Sequence, residues 1–183
     1  EYYGDSIISV SLLGEQILNS ATGERFMANI TTGYAPEQEP VIDTSTADSI
    51  IDGTITSISN DRVTTINDYA FYGCTALTTV NFPAVTNLGT YAFYGCTALT
   101  TADFSAVESL QRAAFYNCSA LTSLILRNNA VVTLETTNAF NNSAIKTGTG
   151  YVYVPDNLVD SYKAAANWST YAAQIKGLSE LEG

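Results

Sequence analysis

The eleven residues Tyr69–Thr79, YAFYGCTALTT, recur unchanged at Tyr91–Thr101, and a looser copy, AAFYNCSALTS, runs from Ala113 to Ser123. The period is 22 residues. A coil of that length cannot bury its own apolar side, so copies must stack and share one continuous core. No arrangement of independent helices or hairpins satisfies such a period.

Aligned on the period, Phe71, Phe93 and Phe115 share one position, Cys74, Cys96 and Cys118 a second, and Leu77, Leu99 and Leu121 a third. Val80, Ala102 and Leu124 follow, then Phe82, Phe104 and Leu126, and Leu88 and Leu110 close the coil. Ile55, Ile58, Val63 and Ile66 extend the frame backwards; Val131, Leu134, Phe140, Ile145, Val152 and Val154 carry it forwards with small insertions. The pattern predicts about five rungs. Leu77, Val80 and Phe82 suit a short strand with inward apolar side chains, and adjacent coils would pair as a parallel sheet. The Ala-Phe pair would turn the chain on the opposite side, stacking Phe71, Phe93, Phe115 and Phe140 as an aromatic spine.

Ile66, Ala70, Phe71, Cys74, Leu77, Val80 and Pro83 match a consensus of the form I-x-x-I-G-x-x-A-F-x-x-C-x-x-L-x-x-V-x-x-P. On these residues the chain resembles the BspA-like, or treponemal-type, leucine-rich repeat family, over about residues 55–155. Ala102 at a position for a larger apolar residue, Ser105 for the proline and Ser143 for a fourth cysteine depart from it. The resemblance implies a leucine-rich-repeat solenoid with loops or short helices opposite the sheet. It also implies a bacterial cell-surface or secreted protein that adheres to host proteins, other cells or matrix, and similar repeats occur in phage tail proteins.

The ends of a stacked core need caps. Residues 156–183 read as a helical cap: Leu158, Val159, Tyr162 and Ala165 at helical spacing in Asp156–Ala166, then a second helix over Ser169–Ile175 ending near Gly177. Trp168, Tyr162 and Tyr171 are expected to cover the last rung; the alternative is an aromatic box holding a sugar or cation. Between lies the solenoid, 46–155. Residues 1–45 have a different texture, with Ile8, Val10 and Leu12 and then Phe26, Ala28 and Ile30 alternating as strands, and a turn-rich linker at Gly33–Pro40. This β segment suits a cap, the end of a preceding domain or an attachment module.

The chain contains no histidine, which removes the usual general base, the commonest zinc ligand and any Ser-His-Asp triad. The cysteines stand 22 residues apart rather than as C-x-x-C, so buried thiols on successive rungs are expected, although rung spacing is compatible with a disulfide. Asp43, Asp48, Asp52, Asp103 and Glu108 show no spacing suited to paired-carboxylate catalysis, and the first three lack that of a calcium loop. A non-catalytic protein without a metal or other cofactor is expected. Seven Lys and Arg against 18 Asp and Glu give a net charge of −11, a poor match to nucleic acid. No apolar run approaches the roughly 18–20 residues that cross a bilayer, so no membrane insertion of the chain is expected. Residues 1–20 do not read as a signal peptide, and an extracellular or cell-surface location rests on the resemblance.

What remains is surface. Residues alternating with the buried ones should project from the sheet: Thr79 and Asn81, Thr101 and Asp103, Ser123 and Ile125, with Arg127 just beyond its strand and Tyr151 and Tyr153 on the last rung. Exposed Ile125 beside Arg127, Tyr151 and Tyr153 has the composition of a binding hot spot. Adhesion to a host or matrix protein, or to a glycan, through this face is the expected function. The alternatives are a wet sheet of ordinary β-formers and a spacer or virion tail component that displays other domains.

Overall fold

The computed structural model describes residues 56–181, and upstream of them only the backbone of four short strands. These are β1 (Ile17–Leu18), β2 (Arg25–Phe26), β3 (Asn29–Thr31) and β4 (Val41–Asp43). The expected strand at Ile8–Leu12, the linker at Gly33–Pro40 and the side chains of Asp43, Asp48 and Asp52 lie outside the described residues.

Strands β1 and β2 pair antiparallel by themselves, and each of the four coils from β5 to β12 contributes two strands that stack into two further sheets. The first contains β5 (Ser57–Ser59), β7 (Thr79–Asn81), β9 (Thr101–Phe104), β11 (Ser123–Leu126), β13 (Tyr151–Val154) and β14 (Ile175–Gly177). All its neighbours run parallel, with Thr79 opposite Thr101, Thr101 opposite Ser123 and Ser123 opposite Tyr151. The second contains two-residue strands β6 (Thr65–Ile66), β8 (Asn87–Leu88), β10 (Ser109–Leu110) and β12 (Thr133–Leu134). Strand β4 extends it in parallel beside β6, and β3 closes its edge antiparallel to β4. This second sheet was not foreseen, because the single inward Leu of a two-residue strand gives no alternation to detect.

The solenoid core is the predicted one. Phe71, Phe93, Phe115 and Phe140 are buried and stack with centroids 4.9, 5.4 and 6.0 Å apart. Phe82 and Phe104 form a parallel column 6.3 Å apart. The turns between the strands are also tied rung to rung: Phe71 N–H donates to Ala92 O at 2.7 Å and Phe93 N–H to Ala114 O at 2.9 Å. The threonine after each conserved leucine repeats the motif with its side chain, Thr78, Thr100 and Thr122 donating to Thr56, Thr78 and Thr100 carbonyls. Left-handed backbone recurs in each turn at Gly73, Gly95, Asn117 and Asn142, with φ of 72°, 73°, 64° and 56°, and in the first three turns also at Tyr69, Tyr91 and Ala113. Gly and Asn are the residues that tolerate it most readily.

The three cysteines are buried thiols without a disulfide. Cys96 and Cys118 donate to the carbonyls of Phe71 and Phe93 on the preceding rungs, at 3.1 and 3.0 Å. Burial pushes the Cys118 thiol up to about 12, and a hydrogen bond with Cys74 together with burial raises Cys96 further. At the fourth position Ser143 is also buried, donates to Phe140 O at 2.6 Å and caps the short helix α1 (Ala144–Thr147). The serine replaces an inter-rung bond with a local one, which suits the insertion in that coil.

The C-terminal cap differs from expectation. In place of one helix over Asp156–Ala166 there is a 3-10 turn, Asp156–Leu158, followed by helix α2, Val159–Ala164. The second expected helix is a kinked 3-10 segment, Trp168–Gln174, and its final residues leave it as β14. Parallel pairing of Ile175 with Val152 makes this the sixth strand of the first sheet, one more rung than the pattern predicted. The open edge of the four-residue β13 offers unpaired backbone groups, and a strand satisfies them where a helix cannot. Trp168, Tyr162 and Tyr171 are buried. Trp168 Nε1 donates to Val132 O at 2.7 Å, and Tyr162 Oη accepts from Val132 N at 3.0 Å. Their faces and polar atoms are spent on the last rungs, so the three rings are core and not an aromatic box.

Candidate functional site

The outward face of the first sheet carries the predicted positions. Thr79, Thr101, Asp103, Ser123, Tyr151 and Tyr153 are partly exposed, and Asn81 and Arg127 are exposed. Ile125 is the exception: expected outside, it is 5% exposed. Its strand places it between Asp103 and Tyr153 on neighbouring rungs, which flank a side chain that points outward. It therefore supports the face rather than presenting itself.

Two polar pairings organise this surface. Asp103 accepts two hydrogen bonds from Arg127 Nε at 3.2 Å and one from Nη2 at 3.1 Å, which fixes the guanidinium across the sheet. Tyr151 and Tyr153 stand 6.3 Å apart, and Lys176 Nζ lies 4.6 Å from the Tyr151 ring centroid. Lys176 also pairs with Glu180 at 3.1 Å, which raises the lysine pKa and lowers that of the glutamate. Lys176 was missed from sequence because Ile175–Gly177 read as a helix end; the alternation of Ile175, Lys176 and Gly177 is too short to reveal a strand.

A second surface was also missed. Tyr69 and Tyr91 stack at 5.1 Å, Tyr72 and Tyr94 at 4.7 Å, and Tyr94 and Tyr116 at 5.1 Å. These tyrosines flank the buried Ala-Phe of each turn, and Tyr69 and Tyr72 are 49% and 53% exposed. The signal was present in the YAFY repeat, but the alternation argument directs attention to strands. Tyr69 and Tyr91 have left-handed backbone, φ 61° and 57°. That conformation costs an L-residue roughly 1–2 kcal/mol, whereas an aromatic pair returns about 0.5–1.5 kcal/mol. Stacking offsets the strain without exceeding it.

Beside this ladder runs an open groove of about 630 Å³ along the second sheet, lined by Thr65, Asn67, Asp68, Asn87, Gly89, Thr90, Ser109 and Gln111 over buried Ile66 and Leu88. Among the described residues there is no group of three Cys, Asp or Glu side chains placed to hold a metal ion, and no helix long and apolar enough to cross a membrane.

Stacked coils with a shared core and two exposed lateral faces define a repeat solenoid, whose characteristic asset is an extended surface. The BspA type leucine rich repeat region matches residues 52–162 in six copies, more than half of the chain, and the protein belongs to that family. Repeats of this type serve in general as non-catalytic protein-interaction modules and are commonly surface-associated. No curated protein matches the chain.

Proposed function

We propose that this protein is a non-catalytic adhesion module of a bacterial cell-surface or secreted protein, and that it holds a host or matrix protein against the C-terminal half of its first sheet. The observation that carries this reading is the concentration of Tyr151, Tyr153, Arg127 and Lys176 on adjacent rungs of one sheet face. Tyr and Arg supply most of the energy at protein interfaces, because they bury large area at small entropic cost. The Asp103–Arg127 pair holds the guanidinium in place before a partner arrives, which lowers the ordering cost of binding. A glycan is less well suited to this face, since the two tyrosine rings are tilted by 58° to each other and do not form a common platform. The test is binding of the purified chain to immobilised matrix and host-surface proteins, with an Arg127→Ala, Tyr153→Ala variant alongside. A specific hit that weakens at least tenfold in the variant supports the reading. Silence, or a hit the variant keeps, points instead to a spacer or virion component that displays other domains.

A further inference from the structure

The groove along the second sheet presents the same positions from three successive rungs. Thr65, Asn87 and Ser109 form one row, paired residue by residue through the parallel strands β6, β8 and β10. Asn67, Gly89 and Gln111 form a second, and Asp68 and Thr90 a third, which exposed Arg112 continues beyond the groove's lining. Successive rungs of a parallel ladder lie about 4.8 Å apart, close to the length of one sugar in an extended chain. At Gly89 a Cβ would lie 2.4 Å from the Asp68 backbone nitrogen, so two rungs approach too closely here for any side chain. Asp68 Oδ1 accepts from Thr90 N at 2.7 Å, which holds the two rungs together at this point.

The lining narrows the ligand by elimination. Ile66 and Leu88 are buried beneath the floor, so an apolar ligand gains little. No Lys or Arg lines the groove, and Asp68 together with a net charge of −11 opposes a polyanion. Hydroxyl and amide groups that both donate and accept remain, and they match a ligand rich in neutral hydroxyls. Tyr69 and Tyr91 directly follow Asp68 and Thr90 in the chain and supply stacked aromatic surface beside the groove.

We infer that this groove is a second binding site, distinct from the tyrosine and arginine face of the first sheet, and that it takes an extended chain of neutral sugars lying along the solenoid axis. Each rung offers hydrogen-bonding groups to one sugar, so affinity rises with the number of sugars that span the rows.

The test is calorimetric titration of the full chain with cellohexaose, xylohexaose and chitohexaose, with the matching disaccharides, and with hexagalacturonate as an acidic control. Asn87→Ala and the double variant Asn87→Ala, Gln111→Ala are compared after their unfolding midpoints are checked. Asn87 is exposed, so its single replacement leaves the stack intact. At least one neutral hexasaccharide is expected to bind, more tightly than its disaccharide, with at least a tenfold loss in the double variant and none in a Tyr151→Ala, Tyr153→Ala variant. Failure of all three neutral hexasaccharides to bind, equal binding of hexagalacturonate, or binding unchanged in the double variant overturns the inference. The first-sheet variant separates this outcome from failure of the protein-binding proposal.

Discussion

The two halves of the first sheet share a backbone and an interior but not an exterior. In β5 and β7 the outward residues are Ser57, Ser59, Thr79 and Asn81, short and polar, around buried Ile58 and Val80. In β11, β13 and β14 they are Ser123, Ile125, Tyr151, Tyr153 and Lys176, around buried Leu124, Val152 and Ile175. The ladder hydrogen bonds and inward packing that stabilise each rung do not depend on what projects outward. Tyr151, Tyr153 and Lys176, collected on one half, are the residues to which the proposed function assigns recognition.

The sharpest way to break that comparison is to remove something both halves share. Phe93→Ala, in the middle of the aromatic column, is expected to lower stability by about 3–5 kcal/mol in urea unfolding; a loss below about 1 kcal/mol contradicts a common core. Ile125→Ala should behave as a core truncation despite its outward strand position, with a loss of about 2 kcal/mol, because the residue is buried. A loss of only a few tenths would return it to the surface.

High pH probes the same interior. The folded Cys118 thiol titrates at about 12 because burial penalises the thiolate, whereas an unfolded thiol titrates near about 8.5. Between those values the unfolded chain has released a proton that the folded chain keeps, so stability falls as pH rises and is unaffected by this group below about 8. The expected loss from this thiol is roughly 2 kcal/mol by pH 10; Cys96 acts in the same direction, so Cys118→Ala should make that part of the profile shallower without levelling it. A stability curve that is level from pH 8 to 10 in the parent chain would indicate an accessible thiol.

Outward positions should respond weakly in stability. Arg127→Ala breaks a partly exposed ion pair and is expected to cost about 0–1 kcal/mol. Asn81→Ala and Ser59→Ala should change stability by less than about 0.5 kcal/mol. Larger values would show that the exterior helps to hold the sheet.

How much was legible in the sequence follows the same division. Residues repeated every coil, such as Phe71, Phe93 and Phe115 or Leu77, Leu99 and Leu121, announce the core because three copies agree. Features that occur once do not. Ile175–Gly177 becomes a strand only because the edge of β13 needs a partner, and Trp168 and Tyr162 find their acceptors and donors on a rung 30 or more residues away. Ile125 was misjudged because alternation gives direction and not shielding, which comes from the neighbouring rungs. The binding groove was hidden for a different reason: its residues lie in two-residue strands and turns whose proximity only the 22-residue stacking creates.

The most direct test of the account sets the two halves against each other in one binding measurement. The parent chain, a Tyr151→Ala, Tyr153→Ala variant and an Asn81→Ala, Ser59→Ala variant are assayed against the same panel of immobilised host and matrix proteins, with folding confirmed for each. A partner lost on changing the tyrosines and kept on changing Asn81 and Ser59 is the predicted result. A partner held equally by all three chains, or lost equally from both variants, contradicts the claim that the C-terminal half of the sheet is the binding face.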